Sequence, residues 1–217
     1  MNDSIKSYLE SYVPKRSLFF KELEQFAIEH RVPIMEPTGI ETMLQIMRIQ
    51  NPKCILEIGT AIGYSALRMA DALQNAQIVT MEMDEERIGQ ALANIKKANM
   101  ENRITVIEGN ALDLYEKATS HGPYDAIFID AAKGQYGNFF NMYKELLTEH
   151  GCIYTDNVLF KGLVAEENQT ENKRLAGVAA KIKDFNHWLF DQKDFTTVII
   201  PVGDGLAISK KIDVGGL

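Results

Sequence analysis

The amino-acid sequence predicts an α/β protein whose core is a doubly wound, mostly parallel sheet of seven strands with an antiparallel hairpin at its carboxyl end. From residue 53 onward, short apolar runs alternate with amphipathic segments, a pattern typical of a parallel sheet with helices on both faces. The last two runs are separated only by residues 201–205, which are too few for a crossover helix, so they form a hairpin. The hairpin distinguishes the predicted Rossmann-like fold from that of nicotinamide-binding Rossmann enzymes.

The first 50 residues predict helices alone. We interpret them as a helical extension, residues 1–50, packed on a single domain that takes up residues 1–217. The helical pattern is interrupted at Pro14, Pro33 and Pro37, because proline lacks the backbone donor that a helix interior needs. The predicted helices of the extension cover 2–13, 16–30 and 38–50.

Strands and helices then follow in turn along the rest of the chain. The predicted strands are Cys54–Ile58, Gln77–Met81, Ile104–Glu108, Tyr124–Ile129, Gly151–Thr155, Thr196–Ile200 and Leu206–Ser209. The predicted helices between them lie near 63–74, 84–99, 111–119, 134–148 and 171–191. An apolar stripe on the last of these helices predicts a side that faces the core: Leu175, Val178, Ile182, Phe185 and Leu189.

Composition and charge exclude several classes of protein. With 217 residues, 46% apolar and 24% charged, the chain is long enough for one well-packed soluble domain. No apolar run approaches the ~18 residues of a membrane span, and the amino terminus lacks the pattern of a secretion signal. A net charge of −7 disfavours non-specific binding of nucleic acid, although a local basic patch is compatible with it. Cys54 and Cys152 fall in predicted strands as core thiols, consistent with a cytoplasmic protein.

Residues 57–65, which we call the glycine turn, connect the first predicted strand to the following helix. Gly59 ends the strand and Gly63 opens the helix, as expected where a ligand approaches the backbone and an anionic group lies at the helix amino terminus. The G-x-x-x-G spacing differs from the G-x-G-x-x-G of dinucleotide enzymes, which disfavours hydride transfer. Two ordinary turn glycines remain the alternative interpretation.

Polar residues after the next two strands support a nucleotide-like cofactor in this turn. Glu82 closes the second strand, where an acidic residue accepts hydrogen bonds from a ribose diol, and Asn110 follows the third strand at the edge expected for an adenine. Ser65 is able to donate its hydroxyl to a cofactor carboxylate, while local capping explains it equally well. The predicted cofactor contacts are Glu57, Gly59, Thr60, Gly63, Tyr64, Ser65, Glu82, Asn110, Ala111 and Asp130.

A second set of polar residues predicts a metal site. Asp130 and Lys133 follow the fourth predicted strand, and Asp156 and Asn157 follow the fifth. Ligands of open α/β sheets bind outside the carboxyl ends of the strands, so these side chains are expected at one edge. Two carboxylates and an amide oxygen form an all-oxygen site suited to Mg²⁺. The alternative interpretation of Lys133 is a solvated lysine at the start of a helix. The alternative for Asp156 is an aspartate that only caps the end of a strand.

These residues resemble the class I, S-adenosylmethionine-dependent and cation-dependent O-methyltransferases of the catechol and caffeoyl-CoA type. The resemblance extends from about residue 35 to residue 210. The segments that carry it are Leu56–Ser65, Met81-Glu82, Phe128–Lys133, Asp156-Asn157 and Pro201–Leu206. It implies that Glu82 holds the cofactor ribose, that Asp130, Asp156 and Asn157 ligate Mg²⁺ (or Mn²⁺ or Ca²⁺ in its place), and that Lys133 is the catalytic base.

The resemblance also bears on the acceptor. Residues 129–136 and 156–165 are similar to the bacterial branch whose members methylate 5-hydroxyuridine at the wobble position of tRNA, giving 5-methoxyuridine. The 5-hydroxyl and 4-carbonyl of that base form a chelating pair of oxygens, as the two oxygens of a catechol do. The catechol enzymes carry a tryptophan just before the lysine, where this chain has Ala132.

Four further residues are candidates for substrate contact. Residues 157–170 predict a loop over the metal edge, with Phe160 and Lys161 near the acceptor. Arg174 and Lys181 lie on one side of the last long helix. They are interpreted either as contacts to RNA phosphates or as part of a solvated basic face.

The expected function is that of a cytoplasmic, Mg²⁺-dependent O-methyltransferase that uses S-adenosylmethionine and acts on tRNA. A small-molecule O-methyltransferase acting on catechol-like or caffeate-like phenols is the first alternative. A non-catalytic cofactor-binding module and a hydride-transferring enzyme are the others. The resemblance further implies a homodimer in which the helices of residues 1–30 pack against a second subunit.

Overall fold

The computed structural model describes residues 3–165 and 172–212, and it confirms the predicted architecture. Its strands are β1 (Cys54–Ile58), β2 (Gln77–Glu82), β3 (Ile104–Glu108), β4 (Tyr124–Ile129), β5 (Leu147–Thr155), β6 (Phe195–Ile200) and β7 (Leu206–Lys211). They form one seven-stranded sheet in the order β3-β2-β1-β4-β5-β7-β6. The first five strands pair in parallel, and β7 runs antiparallel to both β5 and β6, as the short connection before it requires.

The helices follow the predicted order. They are α1 (Asp3–Glu10), α2 (Leu18–Glu29), α3 (Pro37–Gln50), α4 (Tyr64–Ala72), α5 (Glu85–Lys97), α6 (Tyr115–Thr119), α7 (Tyr136–Tyr143) and α8 (Lys173–Phe190). Ser17 caps α2, Asp84 caps α5 and Asn172 caps α8, each through a side-chain oxygen that accepts a backbone N–H of the first turn. None of the helices in the described ranges is long and apolar enough to cross a membrane.

The sheet separates two apolar clusters that cover its two faces. The extension packs on one face through α2 and α3, where Leu23, Met43 and Leu44 join the sheet residue Phe128. Helices α7 and α8 cover the other face, where Phe140 packs on Ile127. Helices from distant parts of the chain therefore pack on both faces of the central strands β1, β4 and β5.

The register of the central strands sets the level of the polar residues that follow them. Ile58 of β1 pairs with Ile129 of β4, and Ile129 pairs with Thr155 of β5. The next residues along the chain, Gly59, Asp130 and Asp156, therefore leave the sheet side by side at its carboxyl edge. This is the arrangement that the sequence predicted for the site.

The structure corrects several element boundaries. Strand β5 begins at Leu147, not at residue 151, because Leu147 pairs with Tyr124 and this pairing extends the strand into a polar segment. The predicted helix 134–148 is correspondingly shorter, with the single turns Lys133–Gln135 and Lys144–Leu146 on either side of α7. The predicted helix 111–119 is likewise divided into a turn, Ala111–Asp113, and α6.

Two burial predictions are also corrected, and some predicted boundaries lie outside the described residues. Leu175 is 38% exposed, so the core-facing stripe of α8 starts further along the helix, with Ile182, Phe185 and Leu189 buried. Cys54 is only half-buried, whereas Cys152 is buried as predicted. The predicted starts of the first and last long helices at residues 2 and 171, and the loop residues 166–170, lie outside the described residues.

Among the glycines that the structure describes, Gly59 leaves the least room for a side chain. Its φ is +105°, and a Cβ built on it would lie 1.9 Å from the carbonyl oxygen of Asp130. The substitution Gly59→Ala is expected to lower the free energy of unfolding by about 3 kcal/mol, because it combines a left-handed backbone with a backbone clash. Chemical denaturation measures this loss.

Gly89 provides the matched control for that substitution. It lies within α5, and a Cβ built on it meets no atom within 4 Å. Gly89→Ala is expected to be neutral or to stabilise by up to about 1 kcal/mol, since alanine has the higher helix propensity. Equal stabilities of the two variants would contradict the steric argument.

Candidate cofactor and metal site

A cavity of about 640 Å³ lies along the carboxyl ends of β1, β2 and β4. Its lining includes the glycine turn, Glu82, Asn110, Asp130, Lys133 and Asn157, so the two predicted sites open into one space. A volume of this size is typical of pockets that hold a cofactor-sized ligand.

One wall of the cavity was not predicted from the sequence. Residues 33–35, in the connection from α2 to α3, close the cavity from the side of the extension, and the only signal for them was the pair of prolines at 33 and 37.

The glycine turn is built by strand contacts as well as by its own residues. The N–H groups of Gly59 and Thr60 both donate to the carbonyl of Met81 at the end of β2, at 3.0 and 3.1 Å. Gly63 has a φ of +81°, and a Cβ there would meet Ala91 of α5 at 3.5 Å. The sequence attributed the two glycines to the approach of a ligand, and the structure adds a steric reason for Gly59, the carbonyl of Asp130, and a conformational reason for Gly63, its left-handed backbone.

Glu57 lies beneath this turn with its side chain fully buried. Ser65 donates its hydroxyl to Glu57 Oε1, and Thr80 donates to Glu57 Oε2 at 2.5 Å. The hydroxyl of Thr60 lies 2.6 Å from that of Thr80. Because this carboxyl is removed from water, its pKa rises to about 8 in spite of the two hydroxyl donors.

Glu82 is held in a single orientation at the end of β2. Its Oε2 accepts the N–H of Ala61 at 2.8 Å, and its Oε1 accepts the N–H groups of Met83 and Asp84 at 2.9 and 3.1 Å. A carboxylate fixed in this way at a cavity wall is preorganised to accept further hydrogen bonds from a diol. Asn110 instead uses its Oδ1 to cap the turn that follows, accepting from Leu112 N–H at 3.0 Å.

Tyr64 connects the glycine turn to the helical extension. The ring is 2% exposed, and its hydroxyl donates to Glu24 Oε1 of α2 at 2.7 Å. Arg68 donates to the same hydroxyl at 2.9 Å and forms an ion pair with Glu41 of α3. The ring is therefore packed between helices, although the residue contributes to the cavity lining.

The four residues predicted for the metal edge lie in one continuous group. Lys133 Nζ donates to Asn157 Oδ1 at 2.6 Å, and Asn157 Nδ2 donates to Asp156 Oδ2 at 3.1 Å. Asp130 acts electrostatically on both Lys133 and Asp156. The predicted base and the predicted ligands are therefore neighbours in space.

Burial dominates the protonation of the two carboxyl groups. It raises the pKa of Asp130 to about 6, against which the nearby Lys133 ammonium acts only in part. The pKa of Asp156 lies well above its ordinary value, first because of burial and then because of the neighbouring Asp130. Two neighbouring carboxylates repel each other when both are ionised, and a cation bound between them would remove that repulsion.

These residues fit a divalent cation. Asp156 is 2% exposed, and its Oδ1 has no hydrogen-bond partner among the described residues, which is costly for a buried carboxyl oxygen. Asp130 and Asn157 supply the other oxygen donors, and an all-oxygen set is the chemistry that Mg²⁺ requires. Within residues 3–165 and 172–212, no three His, Cys, Asp or Glu side chains cluster as a metal site, so the amide oxygen of Asn157 is needed to complete the set.

The backbone around these ligands is held by contacts that the sequence did not reveal. Asn157 has a φ of +59°, a conformation that asparagine tolerates better than most residues and that recurs at functional sites. Tyr136, buried at the start of α7, donates its hydroxyl to the carbonyl of Asp156 at 3.1 Å. Asp204, in the β6–β7 turn, accepts the N–H of Leu159 on its carbonyl at 2.9 Å and that of Lys161 on its side chain.

The four substrate candidates lie outside the cavity lining. Phe160 and Lys161 form part of a single turn, Phe160–Gly162, in which both have positive φ. Lys181 lies over the turn that carries Lys133, since a Cβ on Gly134 would be 3.9 Å from Lys181 Nζ. Arg174 is exposed in the first turn of α8 and is not among the cavity-lining residues of the described ranges.

The chain is similar in sequence and in structure to several known proteins. Residues 10–212 match the family model described as O-methyltransferase. "Caffeoyl-CoA O-methyltransferase 2" of Populus trichocarpa is 30% identical, over 97% of this chain and 90% of the plant protein. A Staphylococcus aureus structure described as a "putative caffeoyl-CoA O-methyltransferase" is 37% identical with a TM-score of 0.89, covering 95% of this chain and 98% of its own. An O-methyltransferase from Bacillus cereus in complex with SAH is 26% identical with a TM-score of 0.82, covering 96% and 97%.

Proposed function

Because the chain belongs to the O-methyltransferase family, we propose that it transfers the methyl group of S-adenosylmethionine to a hydroxyl held beside a divalent cation. The observation that carries this proposal is the continuity of the cavity. Gly59 and Glu82 line one part of it, and Asp130, Lys133 and Asn157 line the adjoining part. A methyl donor and a hydroxyl acceptor need such adjoining sites, because the transfer requires the two reacting atoms to be in line.

The cofactor part of the proposal rests on the glycine turn and the residues beside it. Glu82 has its carboxylate fixed by three backbone donors, which leaves it ready to accept the ribose hydroxyls. Ser65 faces the cavity and is the candidate donor to the amino-acid carboxylate of the cofactor. Binding of SAH by the Bacillus cereus relative supports the same ligand class here.

The chemistry follows from the positions of Lys133 and the oxygen ligands. Asp130, Asp156 and Asn157 would hold the cation, which would orient the acceptor hydroxyl and lower its pKa. Lys133, in its neutral form, takes the hydroxyl proton on Nζ. The acceptor oxygen forms the new C–O bond as the C–S bond of the sulfonium breaks, and S-adenosylhomocysteine leaves.

Two acceptor classes are candidates, and each has an observation in its favour. A small phenol with adjacent oxygens, of the catechol or caffeate type, is favoured by the names of the relatives, which are caffeoyl-CoA enzymes. The wobble 5-hydroxyuridine of tRNA, predicted from the sequence, is favoured by the exposed cations Lys161 and Lys181 near the acid edge and by the small side chain of Ala132 at the cavity wall. Both acceptors present a hydroxyl next to a second oxygen, as the site requires.

One competition experiment separates these acceptors. The protein is incubated with methyl-labelled S-adenosylmethionine, Mg²⁺, tRNA that carries unmethylated 5-hydroxyuridine, and caffeate or catechol, together and singly. Label in tRNA supports the nucleic-acid acceptor, and mass spectrometry of its nucleosides identifies 5-methoxyuridine. Label only in the phenol defeats that assignment, and label in neither acceptor, with or without metal, contradicts the methyl-transfer proposal for both.

A homodimer remains part of the proposal. Helix α1, the segment after it and the start of α2 expose large apolar side chains, among them Tyr8 at 62%, Tyr12 at 68% and Leu18 at 78%. Burial of these side chains against a second subunit would remove apolar area from water, in line with the dimer that the resemblance implies. Sedimentation velocity at micromolar concentration measures the subunit number, and a monomer at every concentration would contradict it.

A further inference from the structure

The mechanism proposed above leaves one buried acid without a role. Glu57 lies at 0% exposure in β1, and its hydrogen-bond partners are hydroxyl groups, those of Ser65 and Thr80. The ionisable groups that act on it are Asp130 at the end of β4 and Glu82 at the end of β2, both acidic. A buried carboxylate with acidic neighbours and hydroxyl partners gains little from being ionised.

The hydrogen bond between Ser65 and Glu57 can run in either direction, depending on whether Glu57 is ionised. The direction decides whether Ser65 has a proton to donate to a ligand. When Glu57 is ionised, its oxygens only accept, so the Ser65 proton is committed to Oε1. When Glu57 is protonated, its own O–H donates to Ser65 Oγ, and the Ser65 proton becomes available to another acceptor. Thr80 continues to donate to Oε2, supported by Thr60 behind it at 2.6 Å.

Ser65 is the point at which this chain meets the cavity. The residue is 8% exposed and lines the cavity in the first turn of α4, where the carboxylate of an amino acid would meet a helix amino terminus. A ligand carboxylate there competes with Glu57 for a single proton. The two anions cannot both be satisfied by one hydroxyl.

We propose that Glu57 is a positioning residue that carries a proton while the cofactor is bound, so that Ser65 donates its hydroxyl to the cofactor carboxylate. This inference rests on the proposed function, because it requires a cofactor with a carboxylate in this position. The proton comes from solvent when the free protein has Glu57 ionised. Cofactor binding is then linked to the uptake of up to one proton.

The direction of the pH dependence follows from this linkage. Burial brings the pKa of Glu57 in the free protein to about 8, and a bound carboxylate at Ser65 raises it further. Affinity for the cofactor is therefore at its full value below about pH 8. Above that pH it falls by up to about tenfold per unit, because each binding event then takes up one proton.

The test uses isothermal titration of the full-length protein with S-adenosylhomocysteine, which binds without turnover, from pH 7 to pH 9.5. We expect the wild-type affinity to fall above pH 8, with proton uptake detected as a dependence of the binding heat on the ionisation enthalpy of the buffer. In Glu57→Gln the carboxamide N–H donates to Ser65 and its oxygen accepts from Thr80, as in the protonated acid. This variant should keep the low-pH affinity and lose the additional fall.

Two controls separate the inference from other titrations. 5′-Methylthioadenosine lacks the amino-acid part of the cofactor, so its binding to the wild-type protein should show no fall linked to Glu57. The ammonium group of S-adenosylhomocysteine titrates equally in the wild type and in Glu57→Gln, so the difference between the two proteins reports Glu57 alone. Proton uptake by the wild type remains a complete test if the variant fails to fold.

The outcomes are distinct. Proton release by the wild type would mean that the ligand ammonium controls Glu57 and would overturn the inference. The same conclusion follows if the wild type and Glu57→Gln share one pH dependence, or if a folded Glu57→Gln no longer binds. Absence of any binding by the wild type at pH 7 would instead contradict the proposed function.

Discussion

Lys133→Ala is expected to lower turnover by about 10²-fold or more, because it removes the group that we propose takes the proton of the acceptor. Lys133 Nζ lies 2.6 Å from Asn157 Oδ1 and lines the cavity beside Asp130. The affinity for S-adenosylhomocysteine should change little, since the contacts proposed for the cofactor lie on the glycine turn and β2. Steady-state turnover with saturating cofactor and Mg²⁺ measures the first effect, and titration with S-adenosylhomocysteine measures the second.

Lys53 offers a matched control for this experiment. Its ammonium also donates to an asparagine amide oxygen, that of Asn51 at 3.3 Å, but it lies at the opposite edge of the sheet, before β1. Lys53→Ala should therefore leave turnover within about twofold, as is usual for an exposed substitution away from the site. Turnover of Lys133→Ala equal to that of Lys53→Ala would remove Lys133 from the chemistry.

Asp156→Ala is expected to abolish the stimulation of turnover by Mg²⁺. The side chain is 2% exposed, and within the described part of the chain its Oδ1 lacks a partner while its Oδ2 accepts from the neighbouring Asn157. Removing it takes away one of two carboxylates, and the two remaining oxygen donors are too few to hold the cation tightly. Direct titration with Mn²⁺, read by calorimetry, should lose the tight binding that we expect of the wild type.

The fold should survive this substitution, because a buried carboxyl oxygen without a partner contributes a cost and not a gain. Thermal denaturation in the absence of divalent cations tests this point. Asp191→Ala, at an exposed aspartate after α8, serves as the control and should keep the full metal response. A folded Asp156→Ala that Mg²⁺ still stimulates would rule out Asp156 as a ligand.

The fold was predictable where local pattern and tertiary structure agree. All seven strands were predicted from apolar runs, and the hairpin from the short connection between β6 and β7. The start of β5 was missed because Thr148, Glu149 and His150 are polar, and only the pairing of Leu147 with Tyr124 makes this segment a strand. Leu175 was assigned to the core by helical period alone, although the helix turns it toward solvent.

The candidate site was predictable to the extent that sheet topology determines it. Asp130, Lys133, Asp156 and Asn157 were predicted together because strands that run in parallel end at one edge, and the structure brings them together. The wall at residues 33–35 was not predictable, since a connection in the extension reaches the cavity only through the packing of α2 and α3. The bond between Ser65 and Glu57 likewise depends on side-chain orientation, which periodicity does not report.

The contact between Gly59 and the carbonyl of Asp130 has a consequence for how new specificities arise in this scaffold. It places the glycine turn directly against the strand end that carries Asp130, and the two lie about as far apart as neighbouring strands, about 4.8 Å. Beyond Asn157, the loop after β5 lies around these strand ends without forming part of them, and so does the connection between α2 and α3. Exchange of those loops alone should thus yield catalysts for differently shaped alcohols and phenols, with the reactive geometry inherited unchanged.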